Sequence, residues 1–572
     1  MRDLDIVFLL LALAALFLLL QRLITRLQLS LAKHRSLGGH SRMSRRLARL
    51  LPFFAYDRDQ FLASDGAPDD VRQRRASGLE QLAHRLQSTS PQTLAKYEGL
   101  DGSLADVGFT TANRVPFPYR EALPAVFKAG TVVQSTGNVT VTDSDGIERF
   151  DLGGSYGLNV FGYDFYKSCM DEGLKKTRAM GPVLGPYHPL VTDNVQRLQA
   201  ISGLDEVSFH MSGTEAVMQA VRLARYHTGR KYLVRMCGAY HGWWDGVQPG
   251  VGNYRDSRDI FTLSEMSEAT LKVLRTRRDI ACVLISPGQA LNPNRDARSD
   301  ASLLSSPKPP VFDREAYTEW LGELREVCTE RGIVLILDEV FTGFRLGVGG
   351  AQEYFGVQAD LVTYGKTVGG GLPIGVVCGR HELMQRFKPD APADLFIARG
   401  TFNSHPMVMG CMNAFLHRIA QGEYRARYQA ADALWNARTS ELNQMLAARE
   451  LPVTIVNMQA VLTVNYLKPS RYNWMFQFYL RDAGLELSWV GTGRLIMSLA
   501  YTDAEWEAVA ERFVAAATRM AADGWWWQGE HLTNAWIGRQ YARDLLGALM
   551  SRLIPGLQPY FEPTSVKEPV NE

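Results

Sequence analysis

Residues 360–373 read DLVTYGKTVGGGLP and set a lysine between an apolar run and a glycine-rich turn. The run DLVTYG has the length and the β-rich composition of a buried strand. A solvated amine needs no such setting. A lysine that forms a Schiff base with an aldehyde does, because its partner needs close approach of the backbone, which glycines permit. Lys366 is therefore the first candidate catalytic residue.

Short apolar runs continue on both sides of this stretch, between about residues 200 and 380, and alternate with helical stretches such as EAVMQAVRLARYHTG. The runs are EVSFHM, KYLVRM, ACVLIS, IVLILDEV, DLVTYG and IGVVCG. This alternation predicts an α/β fold whose parallel sheet is covered by helices on both faces. Between residues 130 and 155, alternating polarity around turn signals predicts a small antiparallel sheet. Residues 420–520 predict a smaller α+β domain.

Two more motifs stand at the ends of apolar runs, where an open parallel sheet binds its ligands. In MSGTEA, residues 211–216, a strand leads through small residues into a helix. Its free backbone N–H groups suit a phosphate, although a plain helix N-cap explains the pattern equally well. In LILDEV, residues 335–340, a buried strand ends in two carboxylates. Asp338 suits a protonated pyridine nitrogen, and the alternative is a surface-exposed strand end.

Together with GAYHGWWDG, GTFNSHPM and GRLIMSLAYTD, these motifs resemble the class III (fold type I) pyridoxal-phosphate aminotransferases over about residues 112–520. Within that family the chain looks most like the glutamate-1-semialdehyde 2,1-aminomutase-like branch. The resemblance implies a mostly parallel central sheet covered by helices, a small α+β domain, and pyridoxal 5'-phosphate as the cofactor. It also implies a homodimer.

The resemblance implies a role for each matching residue. Lys366 becomes the lysine that binds the cofactor aldehyde and carries the proton, and Asp338 keeps the pyridine nitrogen protonated. The other implied cofactor contacts are Ser212, Gly213 and Thr214 at the phosphate, Tyr240, His241 and Val340 at the ring, and Gln289 or Asn292 at the phenolic oxygen. Thr401 matches the threonine that reaches the phosphate bound by the neighbouring subunit.

The chain departs from the family pattern at two positions. Ser286 stands where the family usually has the glutamate of a Glu-Pro pair. The arginine that clamps the substrate carboxylate in many members does not align here, so this clamp is expected to be missing. Arg494 nearby either substitutes for it or forms a surface salt bridge. Tyr156 matches a substrate-side aromatic of the aminomutase-like group, and Trp243 and Trp244 either line an apolar substrate channel with it or pack in the core. The insertion at residues 299–310 is either a lid or an inert surface loop.

Near the N-terminus, residues 6–20 are fifteen consecutive apolar residues, IVFLLLALAALFLLL. Leu4, Leu23 and Ile24 extend them to about the width of a bilayer. We predict a transmembrane helix over residues 4–24 rather than a buried helix. A cleaved signal peptide fits less well, because the start MRDLD is not basic and the exit LLLQRLITR lacks small residues.

Charge around this segment is asymmetric: eight Lys and Arg residues and no acid lie between residues 21 and 50, whereas Asp3 and Asp5 precede the apolar run. The positive-inside rule then predicts a single-pass protein of the inner or cytoplasmic membrane, with its catalytic body in the cytoplasm. The basic cluster either meets anionic headgroups or is a solvated linker. Nucleic-acid binding is not expected, since the body has no basic motif with interleaved aromatics.

Overall composition is unremarkable, with 62 Lys and Arg against 60 Asp and Glu in 572 residues. It excludes a disordered chain, a polycation and a disulfide-stapled miniprotein. Six scattered cysteines without a CxxC pair predict reduced thiols and no metal site. The predicted segments are an anchor (1–24), a basic helical connector (25–95), the N-terminal part of a small domain (96–185), a large cofactor domain (186–410), the C-terminal small domain (411–520) and an aromatic extension (521–572).

Three functions fit these observations. The leading one is a membrane-anchored aminotransferase that passes an amino group through a Lys366 Schiff base and a ping-pong pyridoxamine form to an aldehyde or ketone, apolar and lipid-like or polyketide-like, as in secondary metabolism. The second is an aminomutase that moves an amine within one substrate. The third is a catalytically silent membrane scaffold. The tryptophans at 525–527 and 536 and the stretch 541–550 either face lipid or dock on the connector or on a dimer partner.

Overall fold

The computed structural model describes residues 2–34, 36–255, 258–288, 312–487 and 493–554. Gln289, Asn292 and the segment 299–310 lie outside the described residues. The described residues form two compact units. The first unit is drawn from Met1–Arg49, Glu172–Arg295 and Asp313–Ala420, and the second from Leu50–Asp171, Asp296–Phe312 and Gln421–Glu572.

Helices and strands alternate along most of the described chain. The helices are α1 (Arg2–Ala32), α2 (Ser41–Leu50), α3 (Arg58–Ala63), α4 (Asp69–Thr89), α5 (Pro91–Leu100), α6 (Ala105–Arg114), α7 (Gly154–Gly157), α8 (Tyr163–Thr177), α9 (Pro189–Ser202), α10 (Gly213–Thr228), α11 (Glu268–Thr276), α12 (Arg314–Arg331), α13 (Gly350–Phe355), α14 (His381–Met384), α15 (Pro406–Ile419), α16 (Gly422–Ala447), α17 (Phe476–Asp482), α18 (Asp503–Ala522) and α19 (Asn534–Leu553). The strands are β1 (Val133–Thr136), β2 (Thr140–Asp143), β3 (Glu148–Asp151), β4 (Glu206–His210), β5 (Tyr232–Met236), β6 (Ile260–Leu263), β7 (Ile280–Ile285), β8 (Val334–Glu339), β9 (Leu361–Gly365), β10 (Gly375–Gly379), β11 (Phe387–Lys388), β12 (Ala391–Leu395), β13 (Val453–Met458), β14 (Val461–Tyr466), β15 (Leu485–Glu486) and β16 (Arg494–Ile496).

The first unit is built around a seven-stranded sheet in the order β4-β10-β9-β8-β7-β5-β6. Strand β10 runs antiparallel to both of its neighbours, and the pairs from β9 to β6 are parallel. The prediction of a mostly parallel sheet is therefore confirmed. Every residue of β7, β8, β9 and β10 is buried. Apolar side chains on both faces of these strands allow helices to cover both sides.

The second unit contains two smaller sheets. One has the order β1-β2-β3-β15, with β1, β2 and β3 antiparallel, as the alternation between residues 130 and 155 predicts. The other is the antiparallel sheet β13-β14-β16. Helix α16 packs on β13, and α18 packs on α17. These strands and helices match the α+β pattern expected for residues 420–520.

Both flanks of the chain contribute to the core of the second unit. The ring of Phe61 on α3 lies 5.5 Å from that of Trp525 and 5.7 Å from that of Tyr472, measured between centroids. Trp525 and Trp526 are buried. These two tryptophans therefore dock on the connector instead of facing lipid. The six-segment division of the chain stays a prediction, and its boundary at residue 95 falls within α5.

Helix α1 continues eight residues past the predicted end of the anchor, to Ala32. Its stretch Asp5–Ala32 is long and apolar enough to cross a membrane, with a mean hydropathy of 2.5. The side chains at 6–20 are exposed. The C-terminal end of the helix packs against α11, and the N–H of Ser264 donates to the carbonyl of Ala32 at 2.8 Å. The C-terminal end of α1 is thus fixed to the rest of the first unit.

Candidate active site

Asp338 is the penultimate residue of β8, and three groups of the first unit hold its carboxylate. Its Oδ2 lies 2.6 Å from Nδ1 of His241. Its Oδ1 accepts hydrogen bonds from the Thr363 hydroxyl at 3.0 Å and from the Val340 N–H at 3.2 Å. Thr363 is the register partner of Asp338 on β9, so the sheet itself brings them together. The carboxylate is fixed in one orientation at the C-terminal edge of the sheet.

His241 is buried, and burial lowers its pKa below the ordinary value although Asp338 opposes this shift. A neutral imidazole beside an ionised carboxylate carries its proton on the nitrogen that faces the carboxylate. From this hydrogen bond we assign the proton to Nδ1, which leaves Nε2 as an acceptor. Among the described residues, Nε2 is buried and has no hydrogen-bond partner.

Lys366 directly follows β9, in the left-handed backbone region with a φ of 49°. A non-glycine residue in this region is strained by about 1–2 kcal/mol, and such strain is concentrated at functional sites. Within the described chain its amine has no hydrogen-bond or ion-pair partner, and it lies 5.5 Å from the centroid of the Phe341 ring. Burial lowers the pKa of Lys366, with Asp338 acting against the shift and Arg345 adding to it.

The turn predicted to bind phosphate is the N-terminus of α10. Ser212 is the N-cap residue, and its hydroxyl accepts a hydrogen bond from the N–H of Glu215 at 3.2 Å. The N–H groups of Gly213 and Thr214 are in the first turn of this 16-residue helix. Such a helix end offers unpaired donors and a positive dipole to an anion. The N-cap and the anion-binding interpretations are therefore compatible here.

Three glycines show how tightly these segments meet. A Cβ atom added to Gly213 would lie 2.7 Å from Cγ1 of Val340, and one added to Gly365 would lie 3.1 Å from the same atom. A Cβ atom on Gly242 would lie 2.4 Å from the Thr214 hydroxyl oxygen. The α10 turn, the end of β8, the end of β9 and the loop after β5 thus converge in one place.

The remaining predicted residues are more dispersed. Tyr240 and Trp243 are exposed, at 54% and 75%, so the alternative that Trp243 packs in the core is wrong. Trp244 is partly buried and packs on the core of the first unit. Thr401 is exposed in a turn of that unit. Tyr156 belongs to the second unit, where it is exposed and has a φ of 58°.

Both positions that depart from the family pattern are described. The Ser286 side chain follows β7 and is buried, and its hydroxyl has no partner among the described residues. Arg494 begins β16 in the second unit and pairs in register with Thr463.

The sequence model of the class-III aminotransferases matches residues 125–248 and 313–517. This chain belongs to the class-III aminotransferase family. It is 30% identical to the glutamate-1-semialdehyde 2,1-aminomutase of Hyperthermus butylicus over 57% of this chain and 74% of the relative. It is 33% identical to the enzyme of the same name from Ignicoccus hospitalis, over 54% and 72% of the two chains.

Solved structures of other transaminases and aminomutases share the fold. A transaminase with bound pyridoxal phosphate is 26% identical, with a TM-score of 0.57, over 69% of this chain and 92% of the other. A glutamate-1-semialdehyde aminomutase from Pseudomonas aeruginosa is 18% identical, with a TM-score of 0.63, over 78% and 98%. The predicted fold type is therefore correct.

Class-III aminotransferases depend on pyridoxal phosphate, and the described residues fit this group. A Cβ atom at position 213 would meet Val340, so glycine keeps the helix end open for close approach. Two buried polar atoms have no partner among the described residues: His241 Nε2 in the loop after β5 and Ser286 Oγ directly after β7. The unpaired amine of Lys366 completes a set that suits a polar aldehyde with an anionic group.

Sequence reasoning missed two contacts in this site. It assigned His241 to the cofactor ring, and no sequence signal links that residue to Asp338, which lies 97 positions away. It also did not assign a role to Thr363. A signal for Thr363 exists, because adjacent parallel strands that end in Asp338 and Lys366 must pair residues near those ends.

Proposed function

We propose that this class-III enzyme is a membrane-anchored aminotransferase that transfers an amino group to an aldehyde or ketone. The observation that carries the proposal is the Lys366 amine, unpaired among the described residues and with a lowered pKa, next to an Asp338 carboxylate held by three donors. A neutral amine is the reactive form toward a carbonyl. A structural lysine would instead be paired or solvated.

Each residue of the candidate site would have a separate role, which its position determines. Pyridoxal phosphate, when bound, supplies the aldehyde that condenses with an amine and the ring that delocalises the electron pair left by a departing proton. The carboxylate of Asp338 would hold a proton at the pyridine nitrogen. Gly213 and Thr214 would bind the phosphate through the N-terminus of α10, and Val340 and Tyr240 would enclose the ring. Lys366 Nζ would then accept and return the proton at the substrate carbon.

We further propose that α1 spans the membrane with the first unit on the cytoplasmic side. The apolar stretch of α1 and the eight cations that follow support this orientation. Carbonate extraction of cell membranes measures integration: the full chain should stay in the pellet. Removal of residues 1–24 should release the protein, and a truncated chain that still pellets fully would contradict a single anchor.

An anchored transferase suits an apolar carbonyl substrate. The detergent-solubilised enzyme, incubated with an amino donor and a panel of aldehydes, keto acids and long-chain ketones, should convert long-chain carbonyls to amines detectable by mass spectrometry. The matched control is Lys366→Ala, which should form no product. Conversion of short keto acids alone would contradict the apolar substrate class.

An aminomutase is the second candidate, because relatives at 30% and 33% identity carry that name. The two candidates differ in their need for a donor. A mutase turns over its substrate without a separate amino donor, whereas a transferase converts its cofactor to the amine form when given a donor alone. Stopped-flow absorbance spectra recorded with a donor and no acceptor distinguish them. A catalytically silent scaffold would show neither turnover of a substrate nor conversion of the cofactor.

We also propose a homodimer in which Thr401 of one subunit contacts the phosphate held by the other. The exposed position of Thr401 in the first unit is compatible with such a contact. Sedimentation of the solubilised protein should give twice the monomer mass. Thr401→Val should then weaken cofactor binding without changing that mass.

A further inference from the structure

Helix α2 has two different sides. Its four arginines are Arg42, Arg45, Arg46 and Arg49, and it contains no acidic residue. Met43, Leu47 and Leu50 follow the spacing of one helical face, and all three are exposed, at 53%, 39% and 65%. A helix with an apolar stripe and an otherwise cationic surface has the composition of an interfacial membrane helix.

Two of the arginines fasten α2 to the loop at residues 243–255 of the first unit. The guanidinium of Arg45 donates to the carbonyls of Asn253 and Arg255 at 3.0 and 3.1 Å. The guanidinium of Arg49 lies 4.9 Å from the centroid of the Tyr254 ring. The helix and the loop are therefore attached to each other.

The same loop exposes large apolar side chains of its own. Trp243, Val251 and Tyr254 are 75%, 67% and 78% exposed. Its acidic residue, Asp245, is 3.8 Å from Arg255, which offsets its charge. Tryptophan and tyrosine are enriched where proteins meet the headgroup region of a bilayer. We name Met43 and Leu47, the arginines of α2, and Trp243, Val251 and Tyr254 the α2 surface.

The chain path keeps this surface close to the end of the membrane helix. Eight residues separate Ala32, the last residue of α1, from Ser41, the first of α2. The Ser36 hydroxyl in this connection lies 3.8 Å from Sγ of Cys237. Both helices are thus tied to the first unit near the point where α1 ends.

We propose that the α2 surface is a second membrane contact, which binds anionic lipid headgroups through its arginines and inserts its apolar side chains into the interface. The proposal rests on the membrane anchoring by α1 proposed above. Lipid is the occupant because the surface is cationic without opposing acids on α2 and continues directly from an apolar helix.

Amide hydrogen exchange of the full chain in nanodiscs tests this proposal. With phosphatidylglycerol present, residues 41–50 and 243–255 should exchange about tenfold more slowly than in phosphatidylcholine alone, because an anionic surface attracts the cations of α2. The variant Arg46→Gln should lose most of this difference while keeping the Arg45 and Arg49 contacts. The matched control is Arg425→Gln on α16, which is also exposed, and it should retain the difference.

Each other outcome decides against the proposal. Equal exchange in both lipids would show that these segments do not bind anionic headgroups. Slow exchange that persists in detergent and grows with protein concentration would identify a second copy of the chain as the occupant. Failure of the wild type to integrate into nanodiscs would instead refute the anchoring by α1. Normal integration without a lipid effect refutes the α2 surface alone.

Discussion

Arg75 and Lys366 are both basic side chains withdrawn from water, but their surroundings differ. In the second unit, the guanidinium of Arg75 donates to both carboxylate oxygens of Asp65 at 2.8 and 2.6 Å, and to the carbonyls of Leu62 and Gly524. In the first unit, the amine of Lys366 has no such partner among the described residues.

The pKa shifts of these two side chains have opposite signs. Burial disfavours the charge in both cases, but Tyr472 and Asp65 outweigh it and raise the pKa of Arg75. Burial lowers the pKa of Lys366 despite the opposing effect of Asp338. A buried guanidinium with all three nitrogens hydrogen-bonded is held in one place, whereas a partly buried amine without such partners is available for chemistry.

Replacing the unpaired amine should have the largest effect on activity. We expect Lys366→Ala to lower turnover by about ten-thousand-fold or more, since both the covalent bond and the proton transfer are lost. The melting temperature of its cofactor-free form should not fall below that of the wild type, because no hydrogen bond is removed. Steady-state assays and thermal unfolding on the same preparation measure both. Near-normal turnover would overturn the mechanism.

The paired cation should behave in the opposite way. Arg75→Met leaves Asp65 buried without a partner and should cost about 3–5 kcal/mol of stability. Asp65→Asn should cost a similar amount, and the double variant Arg75→Met/Asp65→Leu should recover part of it. Urea unfolding followed by tryptophan fluorescence reports the change. If Arg75→Met unfolds like the wild type, this ion pair is not what holds the second unit together.

Removing His241 sharpens the comparison at the carboxylate. His241→Phe deletes a hydrogen bond to a charged group, worth about 1.5–3 kcal/mol, so affinity for pyridoxal phosphate should fall about tenfold to one-hundred-fold. Thr363→Val removes a weaker donor and should have a smaller effect in the same direction. Titration of cofactor-free protein with pyridoxal phosphate gives both constants. Unchanged constants would mean that Asp338 does not need these donors.

The smallest expected effect is on pH dependence. Because the pKa of Lys366 lies below its ordinary value of 10.5, the neutral amine persists to lower pH. The rate at which cofactor-free protein combines with pyridoxal phosphate should therefore rise with pH and level off before 10.5. Asp338→Asn removes the charge that opposes the shift and should move the midpoint lower still. A midpoint at or above the ordinary lysine value would contradict the buried setting.

The lowered pKa of Lys366 also predicts how the stability of the fold changes with pH. A lysine whose folded pKa is depressed is costly to protonate, so its contribution to stability falls as the pH drops from 10.5 through the folded pKa. Lys366→Met should remove this dependence and make the protein more stable at neutral pH. For Arg75 no comparable pH dependence is expected below pH 10, because its pKa is raised.

The sequence predicts which site residues lie close together when they are on neighbouring strands, but not when they are far apart in the chain. Asp338 and Lys366 end adjacent parallel strands, and successive strand ends share one edge of the sheet, so their proximity follows from pattern alone. The contact of His241 with Asp338 depends on how the loop after β5 folds back, which no periodicity encodes. The alternative that Trp243 packs in the core is wrong for the same reason, because its exposure depends on the path of that loop.

The second unit was harder to predict because its contacts join the flanks of the chain. The basic composition of residues 25–95 indicates a connector, yet Phe61 and Arg75 lie in a core with Trp525. The sequence allows two interpretations of the tryptophans, contact with lipid and docking on the connector or on a dimer partner. Only packing in three dimensions distinguishes a buried aromatic from an interfacial one.

The contact between Arg75 and the Trp525 region also sets an order of events during synthesis. The carbonyl of Gly524 is one of the acceptors of the Arg75 guanidinium, and it is made 449 residues later in the chain. Until residues 524 and 525 have been made, the Arg75 guanidinium lacks this acceptor and the Phe61 ring lacks Trp525. Asp65, ten positions before Arg75, can meet its partner much earlier. The core of the second unit is therefore completed only when the C-terminal flank has been synthesised.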